Sequence, residues 1–118
     1  MSEWTLIFHG AFKVEFRALP DEAKLALGEV FDLLRHFGPE LGRPQIDTLK
    51  GSRYPNMKEI RVQTEGDWYR LAFAFDPTRQ AIVLCGGSKG GISQQRFYDW
   101  LVGTADNRFA ERLKELGL

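Results

Sequence analysis

Between Trp68 and Phe75 the chain alternates without a break. Tyr69, Leu71, Phe73 and Phe75 are bulky and apolar, and Trp68, Arg70, Ala72 and Ala74 stand between them. A period of two held over this length describes a strand with one buried face and excludes a helix, whose apolar positions recur every three or four residues. The neighbouring runs repeat the pattern. In Lys58–Gln63, Ile60 and Val62 form the apolar set with Glu59, Arg61 and Gln63 opposite, and Ala81–Gly86 is a third β-rich run. Glu65-Gly66-Asp67 and Asp76-Pro77-Thr78 between them are turn residues, so the three runs form a meander of two antiparallel hairpins.

Elements on either side complete the scaffold. Trp4, Thr5, Leu6, Ile7 and Phe8 make a first strand ended by His9-Gly10, and Phe12, Phe16 and Leu19 then recur at helical spacing before Pro20. Pro20-Asp21-Glu22 opens a second helix with the stripe Ala23, Leu27, Val30, Leu34 and Phe37, ended by Gly38-Pro39. The short turn between these helices predicts a hairpin. Leu41–Asn56, rich in glycine and proline, reads as loop with a short strand near Ile46–Leu49. Ser93 caps a helix carrying Phe97 and Leu101, with Trp100 also read as core. Gly103-Thr104 breaks it, and Phe109, Leu113 and Leu116 mark another. No repeat or linker divides the 118 residues, about one domain's length. The expectation is a single α+β domain, 1–118: an antiparallel sheet, an N-terminal helical hairpin and C-terminal helices, all packed on one sheet face.

The strand registers have a chemical consequence. Pairing core with core sets Val62 against Tyr69 and Ile60 against Leu71, with a loop at 64–67, and so places Arg61 directly across from Arg70. Pairing Phe73 with Leu84 and Phe75 with Ile82 puts Gly87 beside Arg70. Lys89 then falls on the same open face if the extended backbone continues that far. Like charges opposite one another in a sheet are destabilising by up to about 1 kcal/mol. A bound anion between them reverses that cost, and phosphate suits guanidinium groups, which grip it bidentately. The competing reading is an ordinary surface ion pair of Glu59 with Arg61 or Arg70. Trp68 shares the open face and can stack on a base; Tyr98 can face either way.

Composition narrows the alternatives. Lys plus Arg and Asp plus Glu both number 16, but residues 43–96 hold nine basic against five acidic side chains, a basic middle between acidic ends. That suits a local anion site rather than a uniformly cationic coat. No apolar run approaches the roughly 18 residues of a membrane span. Met1-Ser2-Glu3-Trp4 shows no basic region before an apolar stretch, so neither a leader nor membrane association is expected, and the chain reads as cytoplasmic. The lone Cys85 reads as a small buried filler, and His9 and His36 as capping or solvated residues, so no metal or cofactor is expected. Gly86-Gly87-Ser88-Lys89-Gly90-Gly91 is not a phosphate-binding P-loop, because Gly90 follows the lysine where Ser or Thr is required.

Several short motifs follow one another in order: Gly42-Arg43-Pro44, Leu49-Lys50-Gly51-Ser52-Arg53-Tyr54, Lys58-Glu59-Ile60-Arg61, Trp68-Tyr69-Arg70, Phe75-Asp76-Pro77 with Arg79, Gly86-Gly87-Ser88-Lys89 and Ala105-Asp106-Asn107-Arg108-Phe109. In that order and spacing the chain resembles the RelE/HigB toxin superfamily, most closely its phage-derived HigB-like branch, over nearly its whole length. The resemblance implies a compact microbial ribonuclease fold and the toxin of a type II toxin–antitoxin pair. It implies metal-independent cleavage of messenger RNA on the ribosome, by attack of the RNA 2′-hydroxyl, and a cognate antitoxin, often a helix-turn-helix protein. Arg61, Arg70 and Lys89 match the family's catalytic positions. Arg53, Lys58, Trp68, Arg96 and Tyr98 are the candidate RNA contacts. Two departures stand out: Gly90 where many relatives have a second lysine, and Arg112 where close relatives often have histidine. Lys89 and Glu59 are the candidate proton acceptors. A catalytically degenerate relative that acts as a protein- or RNA-binding module is the alternative.

Overall fold

The computed structural model describes residues 3–118; the expectation of no leader at Met1-Ser2 falls outside them. The chain runs β1 (Thr5–Phe8), α1 (Gly10–Arg17), α2 (Asp21–Phe37), a short 3-10 turn (Gly38–Glu40), β2 (Ile46–Thr48), β3 (Met57–Gln63), β4 (Trp68–Phe75), β5 (Gln80–Ser88) and α3 (Gln94–Glu115). The alternating stretch is the central strand of a five-stranded sheet ordered β1-β5-β4-β3-β2. Local signals set the helix ends. His9 Nδ1 accepts from the Ala11 N–H at 3.2 Å to start α1, and Asp21 and Glu22 occupy the positive end of α2. Gly38, at φ 59°, ends α2 where any Cβ would run into the Trp4 indole. Among the described residues no helix is long and apolar enough to cross a membrane.

Two cores hold the sheet, one on each face. Ile60, Val62, Tyr69, Leu71 and Phe73 pack against Phe12 of α1 and Leu27, Val30, Phe31 and Leu34 of α2. On the reverse, Ala72, Ala74, Leu84 and Cys85 meet Phe97, Leu101, Ala105 and Phe109 of α3. Each large side chain fully buried this way contributes about 1.5–3 kcal/mol. The expectation of helices on one face is therefore corrected. The alanines of β4 do not mark an open face; their small methyls are the floor on which α3 lies.

Four further expectations change. The sheet is mixed rather than antiparallel, because β1 runs parallel to β5, Thr5 pairing with Gln80 and Phe8 with Val83. The C-terminal segment is one helix, not two. The stripe Phe97–Leu101–Ala105–Phe109 stays on the sheet straight through Gly103, and that burial outweighs the ~1 kcal/mol that a mid-helix glycine costs. Phe73 pairs with Val83 and Phe75 with Ala81, not with Leu84 and Ile82, because a bulge between Ala72 and Phe73 shifts the register by one. Leu84 and Cys85 consequently both enter the α3 core. Trp100 and Phe37, read as core, are 44% and 46% exposed.

Candidate nucleic-acid interface

Register decides which charges meet. With Ile60 opposite Leu71 in the core, Arg61 stands opposite Arg70 and Gln63 opposite Trp68. Across β3, Asp47 stands opposite Glu59; across β4, Gly87 stands beside Arg70. Alternation sends Asp47, Glu59, Arg61 and Arg70 to the α3 face, beyond the alanine floor. There α3 stands off the sheet and contributes Gln94, Gln95 and Tyr98. With Lys50 and Gly51 these line an open groove of about 800 Å³ whose sheet side carries Asp47, Glu59 and Arg61.

The charges in this groove are not all spoken for. Asp47 pairs with Arg61 and with Arg43, both at 3.4 Å. The Thr48 N–H, ahead of the two guanidinium groups, holds the Asp47 carboxyl below its ordinary value. Glu59 is buried and takes no part in that pairing. Its Oε1 accepts from the Tyr98 hydroxyl at 2.8 Å. Burial pushes the Glu59 carboxyl above its usual range, and the Tyr98 hydroxyl, Arg61 and Arg70 oppose the rise without cancelling it. Burial, with Glu59 beside it, pushes the Tyr98 phenol up to about 12. Arg70 lies between two rings, its guanidinium carbon 5.9 Å from the Trp68 centroid and 5.7 Å from that of Tyr98. Its Nε is buried and has no hydrogen-bond partner among the described residues. A buried donor left without an acceptor costs about 1–3 kcal/mol, and native proteins keep few of them.

The expected site residues divide. Arg61, Arg70, Trp68 and Tyr98 come together. The competing ion pair of Glu59 with an arginine does not form; Asp47 takes that place for Arg61. Lys89 lies just past the end of β5 and directs Nζ to the Ile92 carbonyl at 2.9 Å, so it sits in its own turn rather than on the groove wall. Arg53 is exposed, its guanidinium 5.2 Å over the Tyr54 ring. Arg96 is exposed on the first turn of α3 and does not line the groove. Lys58 alternates with Glu59 and so points to the α1–α2 face, away from Arg61.

Sequence reasoning missed two acids. Asp47 sits in a segment read mostly as loop, and its position opposite Glu59 was the available signal. Asp106 is 8% exposed on α3 and accepts from the Ser52 hydroxyl and, at 3.0 Å, from the Arg53 N–H. It thereby ties the Leu49–Tyr54 motif to the Ala105–Phe109 motif and fixes the loop that brings Lys50 and Gly51 to the groove. The remaining titratable groups act elsewhere. His9 Nε2 meets Glu111 at 2.9 Å while the ring caps α1, and Cys85 is buried with its thiol pushed up to about 12. Arg112 binds Asp76 at 3.2 Å and Gln80 at 2.6 Å on the far end of α3. Among the described residues no group of three or more His, Cys, Asp or Glu side chains is placed to hold a metal ion.

Comparison with known proteins adds relatives to this geometry. The family described as phage-derived protein Gp49-like (DUF891) matches residues 14–110. Two Mycobacterium tuberculosis proteins that carry the toxin names HigB2 and HigB3 are similar to the chain. The first is 47% identical over 71% of this chain and 42% of its own length, and the second 45% identical over 79% of each. The chain thus spans less than half of the first relative. Among solved structures, a doubly substituted mutant of the E. coli toxin RelE in the free state superposes with a TM-score of 0.66. That match covers 90% of this chain and 97% of the other at 17% identity, a likeness of fold.

Proposed function

The chain belongs to the phage-derived Gp49-like family, the HigB-like branch of the RelE/HigB toxins, and from that premise we propose that it is the toxin of a toxin–antitoxin pair. Its activity is cleavage of messenger RNA in the cytoplasm, and its partner is a small antitoxin that blocks the groove. The observation that carries this reading is the face-to-face pair Arg61 and Arg70, the first lining the open groove and the second beside it with a buried donor unmet. An RNA phosphate supplies the missing acceptor and turns a repulsive pair into a bidentate clamp.

The reaction is transesterification: the RNA 2′-oxygen attacks the adjacent phosphorus, the bond to the 5′-oxygen breaks, and a 2′,3′-cyclic phosphate is left. Arg61 and Arg70 stabilise the negative charge that builds on the phosphoryl oxygens. Lys89 adds a third cation once RNA draws its ammonium from the Ile92 carbonyl. Trp68 offers a stacking face at the groove's edge, and Arg53 and Arg96 attract the flanking backbone. No metal enters the scheme. The groove carries few base-reading groups beyond Gln94 and Gln95, so the ribosome orients the message.

Induction of the unaltered protein and of Arg70→Ala, followed by mapping of messenger RNA 5′ ends with and without translating ribosomes, tests the reading. New ends that require ribosomes and drop about 100-fold in the variant are expected. Equal growth arrest by both proteins without new RNA ends would replace the nuclease with a binding module.

A further inference from the structure

Glu59 is left out of the clamp and, among the described residues, is the buried acid of the groove not committed to a cation; Asp99, the groove's third acid, is exposed and accepts from the Gln95 amide at 2.8 Å. It lies two residues from Arg61 on the same face of β3, roughly 7 Å along the strand. It lines the groove although the residue is only 6% exposed. Oε1 is fixed by the Tyr98 hydroxyl at 2.8 Å, and Oε2 has no donor among the described residues. We infer that Glu59 is the catalytic base, its free carboxylate oxygen accepting the proton of the RNA 2′-hydroxyl while Tyr98 holds the side chain in place. This rests on the nuclease reading and names the proton acceptor that reading lacks.

The step balances without a further reactant. The O–H bond of the 2′-hydroxyl breaks and its proton passes to Glu59 Oε2. The 2′-oxygen forms a bond to phosphorus, and the phosphorus–5′-oxygen bond breaks. Water at the open side of the groove protonates the leaving 5′-oxygen, and Glu59 returns its proton to water. The groups facing the carboxylate are Asp47 from β2, Arg61 on its own strand, Arg70 from β4 and Tyr98 from α3. Asp47, close by, is a poorer base: the Thr48 N–H, Arg43 and Arg61 already satisfy its charge and hold its proton affinity down. Burial acts on Glu59 in the opposite sense and makes it the stronger proton acceptor of the two.

Single-turnover cleavage of a message on programmed ribosomes, followed across pH, tests the assignment in the unaltered protein, Glu59→Gln, Tyr98→Phe and Arg70→Ala. Binding of an RNA carrying a 2′-O-methyl group at the cleaved position is measured beside it. For the unaltered protein the rate should climb about tenfold per pH unit through an acid limb. Glu59→Gln should lose at least about 100-fold in rate and lose the limb, yet bind the methylated RNA within about threefold. Tyr98→Phe should move the limb to higher pH, because the carboxylate loses its donor; a purely structural tyrosine would lower the rate at every pH and leave the limb in place. If Glu59→Gln keeps the rate and the limb while Arg70→Ala loses cleavage, Glu59 is not the base and the nuclease reading survives. If the unaltered protein makes no cut, the nuclease reading falls and the base with it.

Discussion

Replacing Asp106 by alanine separates the loop that borders the groove from the helix that holds it. The buried carboxylate receives two hydrogen bonds, from the Ser52 hydroxyl and from the Arg53 N–H. Ser52 in turn accepts from the Tyr54 N–H at 3.0 Å, so one carboxylate organises three consecutive residues. A hydrogen bond to a charged group contributes about 1.5 kcal/mol or more, so the pair is worth about 3 kcal/mol. In a domain of this size each kcal/mol moves Tm by about 4 °C, which predicts a fall of about 12 °C for Asp106→Ala. Asp106→Asn retains an acceptor for the Arg53 N–H and an amide that can donate to the serine oxygen, so its fall should be about a third as large. Thermal unfolding followed by circular dichroism gives the stability, and hydrogen exchange at the Arg53 and Tyr54 amides gives the local effect. RNA affinity should weaken as well, because Lys50 and Gly51 lose their placement. A Tm within about 2 °C of the parent for the alanine variant, or unchanged exchange at both amides, would refute the latch.

The remaining predictions concern the sheet and its titrating groups. Gly86→Ala would set a Cβ 2.5 Å from the Arg70 carbonyl oxygen and 2.6 Å from Leu71 Cα; backbone cannot step aside as a side chain does, so urea unfolding should show a loss of about 3 kcal/mol, and a neutral result contradicts the β4–β5 packing. Asp76 is buried, and although burial alone would raise its carboxyl, the Thr78 hydroxyl and N–H, the Gln80 N–H and Arg112 hold it below the ordinary 3.8. Its stabilisation is therefore complete above pH 3.8 and lost as pH falls through the folded value. Asp76→Asn should be less stable at neutral pH and flatter in its acid limb, and an unchanged limb counts against the network. Cys85, its thiol pushed up to about 12 by burial, should resist iodoacetamide at pH ~8 until urea unfolds the domain; fast labelling of the native protein would contradict its burial.

How much of this the amino-acid order reveals depends on how local the determinant is. The β3–β4 hairpin follows from its own residues, because Ile60 and Val62 can reach the core in one register only, and Arg61 opposite Arg70 comes with it. The α2 stripe is equally local, apart from Phe37 beside the terminating glycine. The bulge between Ala72 and Phe73 is not local, since it arises from fitting Leu84 and Cys85 together under α3. Nor is the covering of the alanine face, where small residues read as a solvent face until a distant helix is known to lie there. At the groove the Arg61–Arg70 juxtaposition was legible from strand pairing. The Tyr98–Glu59 and Asp106–Ser52 contacts join residues 39 and 54 apart, and no spacing rule reaches that far.

The central claim is that Arg70 is held unpaired so that an RNA phosphate can complete it. The most direct measurement is the side-chain nitrogen–proton spectrum of the arginines during titration with a short RNA whose 2′-hydroxyls are methylated, Arg70→Lys providing the assignment. The expected result is a saturable movement of the Arg70 Nε–H signal together with that of Arg61, at the same RNA concentration that saturates binding. Saturated RNA binding with the Arg70 signal unmoved would place the phosphate elsewhere on the protein.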